Sequence, residues 1–231
     1  MTENNQLNYS MYPIPKLYML SSELPKNVVD NINSYLNELK KTKNKRDHSK
    51  TLVGQIKKGE QITIDIDHPL MEEYKNITLD LSHQYMMNFK KRSGNENIYT
   101  KETKIDFDEV WSVHSYEGDY NPRHDHITKS KTGLSTTLWT KVPEQILNNP
   151  NINDQSFSPN NSSGHLDGCI DFQPFDHGQR ISYDLRLGGT LTIKPEVGKM
   201  FIFPSWLLHS VYPFEGKGER RTVASNVNIW N

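Results

Sequence analysis

Cysteine is nearly missing from this chain. Cys169 is the only one in 231 residues, which excludes an internal disulfide and a thiolate zinc cluster. An excess of one charge is missing too: 27 basic and 28 acidic side chains leave a formal net charge of −1. Proteins that grip nucleic acid by displacing counterions need a net basic face. Long apolar runs are lacking as well, since none approaches the roughly 18–20 residues that cross a bilayer. Residues 1–10 show no charged-then-apolar leader pattern. The expectation is a cytoplasmic protein with no nucleic-acid or membrane partner, folded as a single domain over 1–231.

The chain divides by texture. Residues 1–104 read as helical. Over 25–41, Val29, Ile32, Tyr35, Leu36 and Leu39 fall at the i, i+3, i+4 spacing of a helix with one buried stripe. The lysines that follow suit a helix C-terminus. A second helix is expected from Asp67, as N-cap, to about residue 91, with Leu70, Tyr74, Ile77, Leu81, Tyr85 and Phe89 along one face. Between them, residues 61–66 alternate like a short strand.

From about residue 105 the pattern changes to short β segments bounded by glycine and proline. Candidate strands cover 110–116, 134–142, 169–172, 181–185, 190–193, 199–203 and 220–229. Strands at this spacing with no helix between them suggest a sandwich or jelly roll. The expected class is therefore α+β, mainly β, with a jelly-roll core over 105–231 and the N-terminal helices packed on one face. An Asn/Ser-rich loop is expected at about 145–167.

The densest chemistry lies in Tyr116-Glu117-Gly118-Asp119-Tyr120-Asn121-Pro122-Arg123-His124-Asp125-His126. On an extended strand, positions i and i+2 share a face. His124 and His126 would point one way and Asp125 the other, forming half of a site for a transition metal. His209 lies in apolar surroundings, where an imidazole needs a partner, either a metal or a backbone carbonyl. Eleven residues on, Arg220 and Thr222 alternate onto one face, where a guanidinium and a hydroxyl could hold a carboxylate together.

These elements, in this order, resemble the iron(II)/2-oxoglutarate-dependent oxygenases of the double-stranded β-helix (jelly-roll, cupin-like) fold. More narrowly, they are similar to a prolyl-hydroxylase-like group of oxygenases found in bacteria and their phages. The resemblance rests on Gly118-Asp119-Tyr120-Asn121, His124-Asp125-His126, Leu134-Ser135 through Val142-Pro143-Glu144, the stretch from Phe203 to His209, and Glu219-Arg220-Arg221-Thr222. It covers roughly residues 105–231.

The resemblance implies Fe(II) held by His124, His126 and His209, with 2-oxoglutarate and O2 as cosubstrates. The usual third ligand of the family is a carboxylate, and here His126 stands in its place. Either three neutral imidazoles form the site, or a bulge turns Asp125 inward. His165-Leu166-Asp167 is a literal His-x-Asp, but it stands where the family places a sheet strand. Arg220 and Thr222 would anchor the far carboxylate of 2-oxoglutarate, and Tyr116 and Trp139 correspond by position to cosubstrate-pocket residues. Ser135, Thr137 and Trp139 share one strand face, as a pocket wall would. The implied reaction is hydroxylation of a C–H bond, with release of succinate and CO2. The primary substrate, peptidyl or small-molecule, is left open. Alternatives are a three-histidine cupin dioxygenase that does not use 2-oxoglutarate, and a non-catalytic jelly-roll binding or virion-associated protein.

Overall fold

The structure is a computed structural model that describes residues 9–14, 17–43, 45–49, 56–149, 164–173 and 190–231. The expected strand at 181–185 and most of the Asn/Ser-rich loop lie outside these residues. In chain order, the elements begin with β1 (Tyr9–Ile14), β2 (Leu17–Glu23), α1 (Lys26–Lys41), β3 (Glu60–Thr63) and α2 (Glu72–Ser93). They continue with β4 (Lys104–Ser115), β5 (Asn121–His124), β6 (Thr132–Lys141), α3 (Glu144–Leu147) and β7 (Ile170–Gln173). The last are β8 (Leu191–Ile193), β9 (Lys199–Pro204), β10 (Leu208–Val211) and β11 (Arg220–Trp230).

The described strands form two antiparallel sheets. The major sheet runs β1-β2-β9-β6-β11-β4-β3 and the minor one β5-β10-β7-β8. Strand alternation sorts the major sheet's residues. Leu134, Leu138, Met200, Ile202, Val223 and Val227 point outward and pack with Val29, Ile32, Leu36, Tyr74 and Leu81 of the two helices. Trp139, Phe201 and Phe203 point inward and meet Ile170 and Phe172 of the minor sheet. The expected α+β, mainly β architecture with helices on one face is what the chain adopts.

Three expectations need correction. The first hundred residues hold more strand than the one expected between the helices, because β1 and β2 extend the major sheet at the edge opposite β3. Asp67 does not cap α2. A 3-10 turn over Pro69–Met71 precedes the helix, and His68 Nδ1 accepts the Leu70 N–H at 3.2 Å. Asp67 pairs with Lys75 on the surface instead, and Leu70, inside that turn, is exposed. The strand expected over 61–66 ends at Thr63, although Ile64 N still donates to Val110 O at 2.8 Å.

A polar network joins α1 to the sheet. Glu219, just before β11, accepts from His114 Nδ1 at 2.6 Å and from Arg221 Nη2 at 2.9 Å. Lys40 Nζ and Lys141 Nζ lie at 3.2 and 3.3 Å. Arg221 also donates to Asn33 Oδ1 and Asn37 Oδ1 of α1, at 3.0 and 2.9 Å. Burial alone would raise the Glu219 carboxyl. The His114 hydrogen bond and the Arg221 charge outweigh it and hold the group well below the usual carboxylate range. Burial keeps His114 neutral, reinforced by the Arg221 and Lys40 charges, so His114 donates as an uncharged imidazole.

A depressed carboxylate adds stability above its unfolded-state pKa and loses it as pH falls toward the folded value. Glu219→Gln should therefore cost about 2 kcal/mol near neutrality, somewhat below a fully buried pair because the carboxylate retains some water contact. In urea titrations that gap should stay constant down to about pH 5.5 and narrow below about pH 4.5. A gap that persists unchanged at pH 3 would contradict the assignment.

Candidate active site

The register of the minor sheet brings two histidines together. His209 of β10 and His124 of β5 are direct cross-strand partners, and their ring centroids lie 4.2 Å apart. His126 follows β5, with its N–H donating to Ser205 O at 2.9 Å. Its ring lies 5.2 Å from that of His124 and 5.0 Å from that of His209. One ring nitrogen from each of the three lies within 4.8 Å of the others, the one such group of potential metal ligands among the described residues.

The outer nitrogens are occupied. His124 Nδ1 donates to Pro122 O at 2.7 Å, His209 Nδ1 to Leu207 O at 2.9 Å, and His126 Nδ1 to Asn226 Oδ1 at 3.0 Å. This pattern fixes all three rings in the tautomer whose bare nitrogen is Nε2. His126 Nε2 is buried without a hydrogen-bond partner, and His124 Nε2 meets only the Asn121 amide, at 3.2 Å. Burial lowers all three pKa values. His126 falls to about 4, aided by His124, and His209 to about 3, aided by both neighbouring imidazoles. Neutral imidazoles with converging lone pairs are the form that binds a divalent transition metal.

The same cavity holds Arg220, Thr222 and Trp139, together with Trp111, Tyr120, Asn121 and Thr137. Arg220 is 4% exposed. Its Nη1 donates to Gly168 O at 3.2 Å, and its Nε has no partner. The carbonyl at 168 depends on a left-handed backbone (φ +69°), and a Cβ there would come within 2.6 Å of Ile146. Burial pushes the guanidinium down to about 10, so it remains charged at neutral pH. Among the described lining residues it is the only charged side chain.

Tyr116 lies elsewhere. Trp111, Val113 and Ser115 face the cavity, so Tyr116 takes the opposite parity, with His114. Its hydroxyl accepts from Lys40 Nζ at 3.1 Å, and it lines a separate pocket with Lys40, Lys58 and Glu60. Asp125 is exposed and lines an outer groove, away from the three bare nitrogens. The His165/Asp167 pair occupies a turn, where Asp167 accepts the Glu215 N–H at 3.1 Å.

Sequence reasoning gave no role to Trp111, Tyr120 or Asn226. Asn226 shares the parity of Arg220 and Thr222 on β11, a signal that was available. Asp119 of the Gly-Asp-Tyr-Asn segment is a loop staple, accepting from the Lys57, Lys58 and Tyr116 N–H groups at 2.8, 3.1 and 3.0 Å.

Comparison with known proteins bears on the family and the fold. A family model described as "Putative 2OG-Fe(II) oxygenase" matches residues 109–226. A search of curated proteins finds no match. Among solved structures, the chain is similar to a prolyl-4-hydroxylase from Pseudomonas putida (TM-score 0.53, 13% identity, covering 95% of this chain and 91% of that one). It is also similar to a prolyl hydroxylase from Trichoplax adhaerens, solved with a hypoxia inducible factor oxygen degradation domain peptide fragment (TM-score 0.53, 13% identity, 95% and 83% covered). A third is AviO1 from Streptomyces viridochromogenes (TM-score 0.56, 9% identity, 91% and 89% covered). At these identities the likeness shows a shared fold, while the family model spans just over half of the chain. The chain belongs to the 2OG-Fe(II) oxygenase family, whose members use Fe(II), 2-oxoglutarate and O2.

Proposed function

We propose that His124, His126 and His209 hold the ferrous ion and that Arg220 with Thr222 anchors the far carboxylate of 2-oxoglutarate, with Trp139 in the cosubstrate pocket wall. The observation that carries this reading is the pairing, in one cavity, of three inward-facing bare imidazole nitrogens with a buried guanidinium that has no carboxylate partner among the described residues. When bound, iron and 2-oxoglutarate together supply the oxidising chemistry: one oxygen atom of O2 enters a substrate C–H bond, and the other enters succinate as CO2 leaves.

The protein's own part is binding and exclusion. The three Nδ1–H bonds keep the ligand lone pairs aimed inward with no reorganisation as the metal enters. A guanidinium can meet a carboxylate through two parallel charge-assisted bonds, each worth about 1.5–3 kcal/mol. That gives a cosubstrate with a second carboxylate a clear advantage over a monoacid. Phe203 and Phe172 pack against the His209 ring, with centroids 5.2 and 5.9 Å away, and shield that side from water.

For the primary substrate we propose a peptidyl residue. The support is the peptide fragment in the Trichoplax prolyl hydroxylase structure. Succinate release, measured against peptides and small metabolites with iron-free protein as control, tests both claims. Release stimulated by peptides is expected. A metal-dependent oxidation with no succinate would favour a dioxygenase that does not use 2-oxoglutarate, and no turnover with any class would favour a binding protein.

Two variants separate the ligand roles. His126→Ala should lose anaerobic Fe(II) binding, whereas Asp125→Ala should keep most of it. The reverse result would transfer the third position to Asp125.

Arg220→Met tests the buried cation. Replacing an uncompensated buried charge with an apolar side chain of similar length is neutral or stabilising. The ligand-free variant should therefore melt at or above the wild-type temperature, yet lose the rise in Tm that 2-oxoglutarate gives the wild type. A variant still stabilised by 2-oxoglutarate would remove Arg220 from that role.

A further inference from the structure

The third histidine is held differently from the other two. His124 and His209 each donate Nδ1–H to a main-chain carbonyl two residues earlier. Those bonds are local and belong to the minor sheet. His126 lies beyond the end of β5, and its Nδ1 instead meets a side chain from the major sheet, Asn226 Oδ1.

Asn226 is itself held. Its Oδ1 also accepts the Ser135 hydroxyl at 2.8 Å, and Ser135 is its direct cross-strand partner between β6 and β11. The two side chains are 5% and 1% exposed. The pairing of β11 with β4 shifts register between Asn226 and Val227, an irregularity of the kind that re-aims a side chain. Trp111 of β4 stacks on the His126 ring, with centroids 5.3 Å apart and planes at 20°. Side chains from β4, β6 and β11 thus position His126 against the two histidines of the minor sheet.

Amide orientation and ring tautomer are coupled here. With Oδ1 toward the ring, His126 carries its proton on Nδ1 and Nε2 is bare. With the amide reversed, its N–H₂ would need an unprotonated Nδ1, and the proton would move to Nε2, the face turned toward His124 and His209. In the first orientation the Ser135 hydroxyl donates to Oδ1; in the reversed one it would accept from N–H₂ instead.

We infer that Asn226, anchored by Ser135, is a positioning residue that holds His126 in the metal-accepting tautomer through its Nδ1. The inference rests on the proposed ligand role of His126. An amide does this without adding charge, so the ligand set stays neutral, whereas the more familiar carboxylate partner of a metal-bound histidine would raise ligand basicity.

The test uses Co(II) as the metal probe, with affinity from calorimetry and histidine ring ¹⁵N spectra of the metal-free protein. Asn226→Ala should weaken Co(II) binding about 10–100-fold and shift the His126 ring signals toward the Nε2–H tautomer, leaving those of His124 and His209 unchanged. Asn226→Asp, which keeps an acceptor oxygen at the same reach, should recover most of the affinity. Ser135→Ala, a milder change should the alanine at 226 fold poorly, should show a smaller loss in the same direction. Wild-type affinity and unshifted ring signals in Asn226→Ala and Ser135→Ala would overturn the inference. A parallel titration of His126→Ala separates the two failures. If that variant binds Co(II) like the wild type, the ligand assignment fails and takes the inference with it. If it loses the metal while Asn226→Ala does not, only the positioning role fails.

Discussion

A guanidinium buried without a counter-charge among the described residues is the constraint on which the site depends. Removing an arginine from water costs several kcal/mol unless an anion meets it, and Arg220 has one carbonyl contact and an unpartnered Nε. The folded chain meets that cost elsewhere, through two apolar cores on either side of the major sheet. What remains is a cavity with fixed positive charge at one end and three neutral imidazoles lining it. A cavity of that kind favours a small anion that can also approach a metal, and a keto-diacid is such a ligand.

Strand parity divides the labour along β11. Arg221 turns outward to Glu219, Asn33 and Asn37, and fastens the strand to α1. Arg220, Thr222 and Ala224 turn inward to the cavity, and Asn226, on the same face, reaches His126. Adjacent arginines in one sequence motif thus do opposite work. One is saturated with partners and structural, and the other is left unsaturated and available to a ligand. The minor sheet contributes the pair His124 and His209 through a single cross-strand register, so the three imidazoles meet where the two sheets face each other.

Much of this was legible in the sequence, and the part that was not has a physical reason. Alternation placed Arg220 with Thr222, because a period of two is strict wherever one face is buried, whereas Asp125 and His126 lie beyond the end of β5, where that period no longer applies. The helix stripe from Val29 to Leu36 was readable for the analogous reason at a period of 3.6. Tyr116 was misplaced because its role came from position in a motif, whereas its parity follows His114. The hairpin of β1 and β2 was missed because it is docked by the pairing of β2 with β9, a long-range contact that local propensity does not encode. The Asn226–His126 bond spans 100 residues, and only the folded register brings its two ends together.

The most direct test of the account is an anaerobic crystal structure of the protein with Mn(II) and 2-oxoglutarate. The account predicts metal on the Nε2 atoms of His124, His126 and His209, with the far carboxylate of the diacid against Arg220 and Thr222. A metal held by Asp125 or Asp167, or a diacid bound away from Arg220, would contradict it.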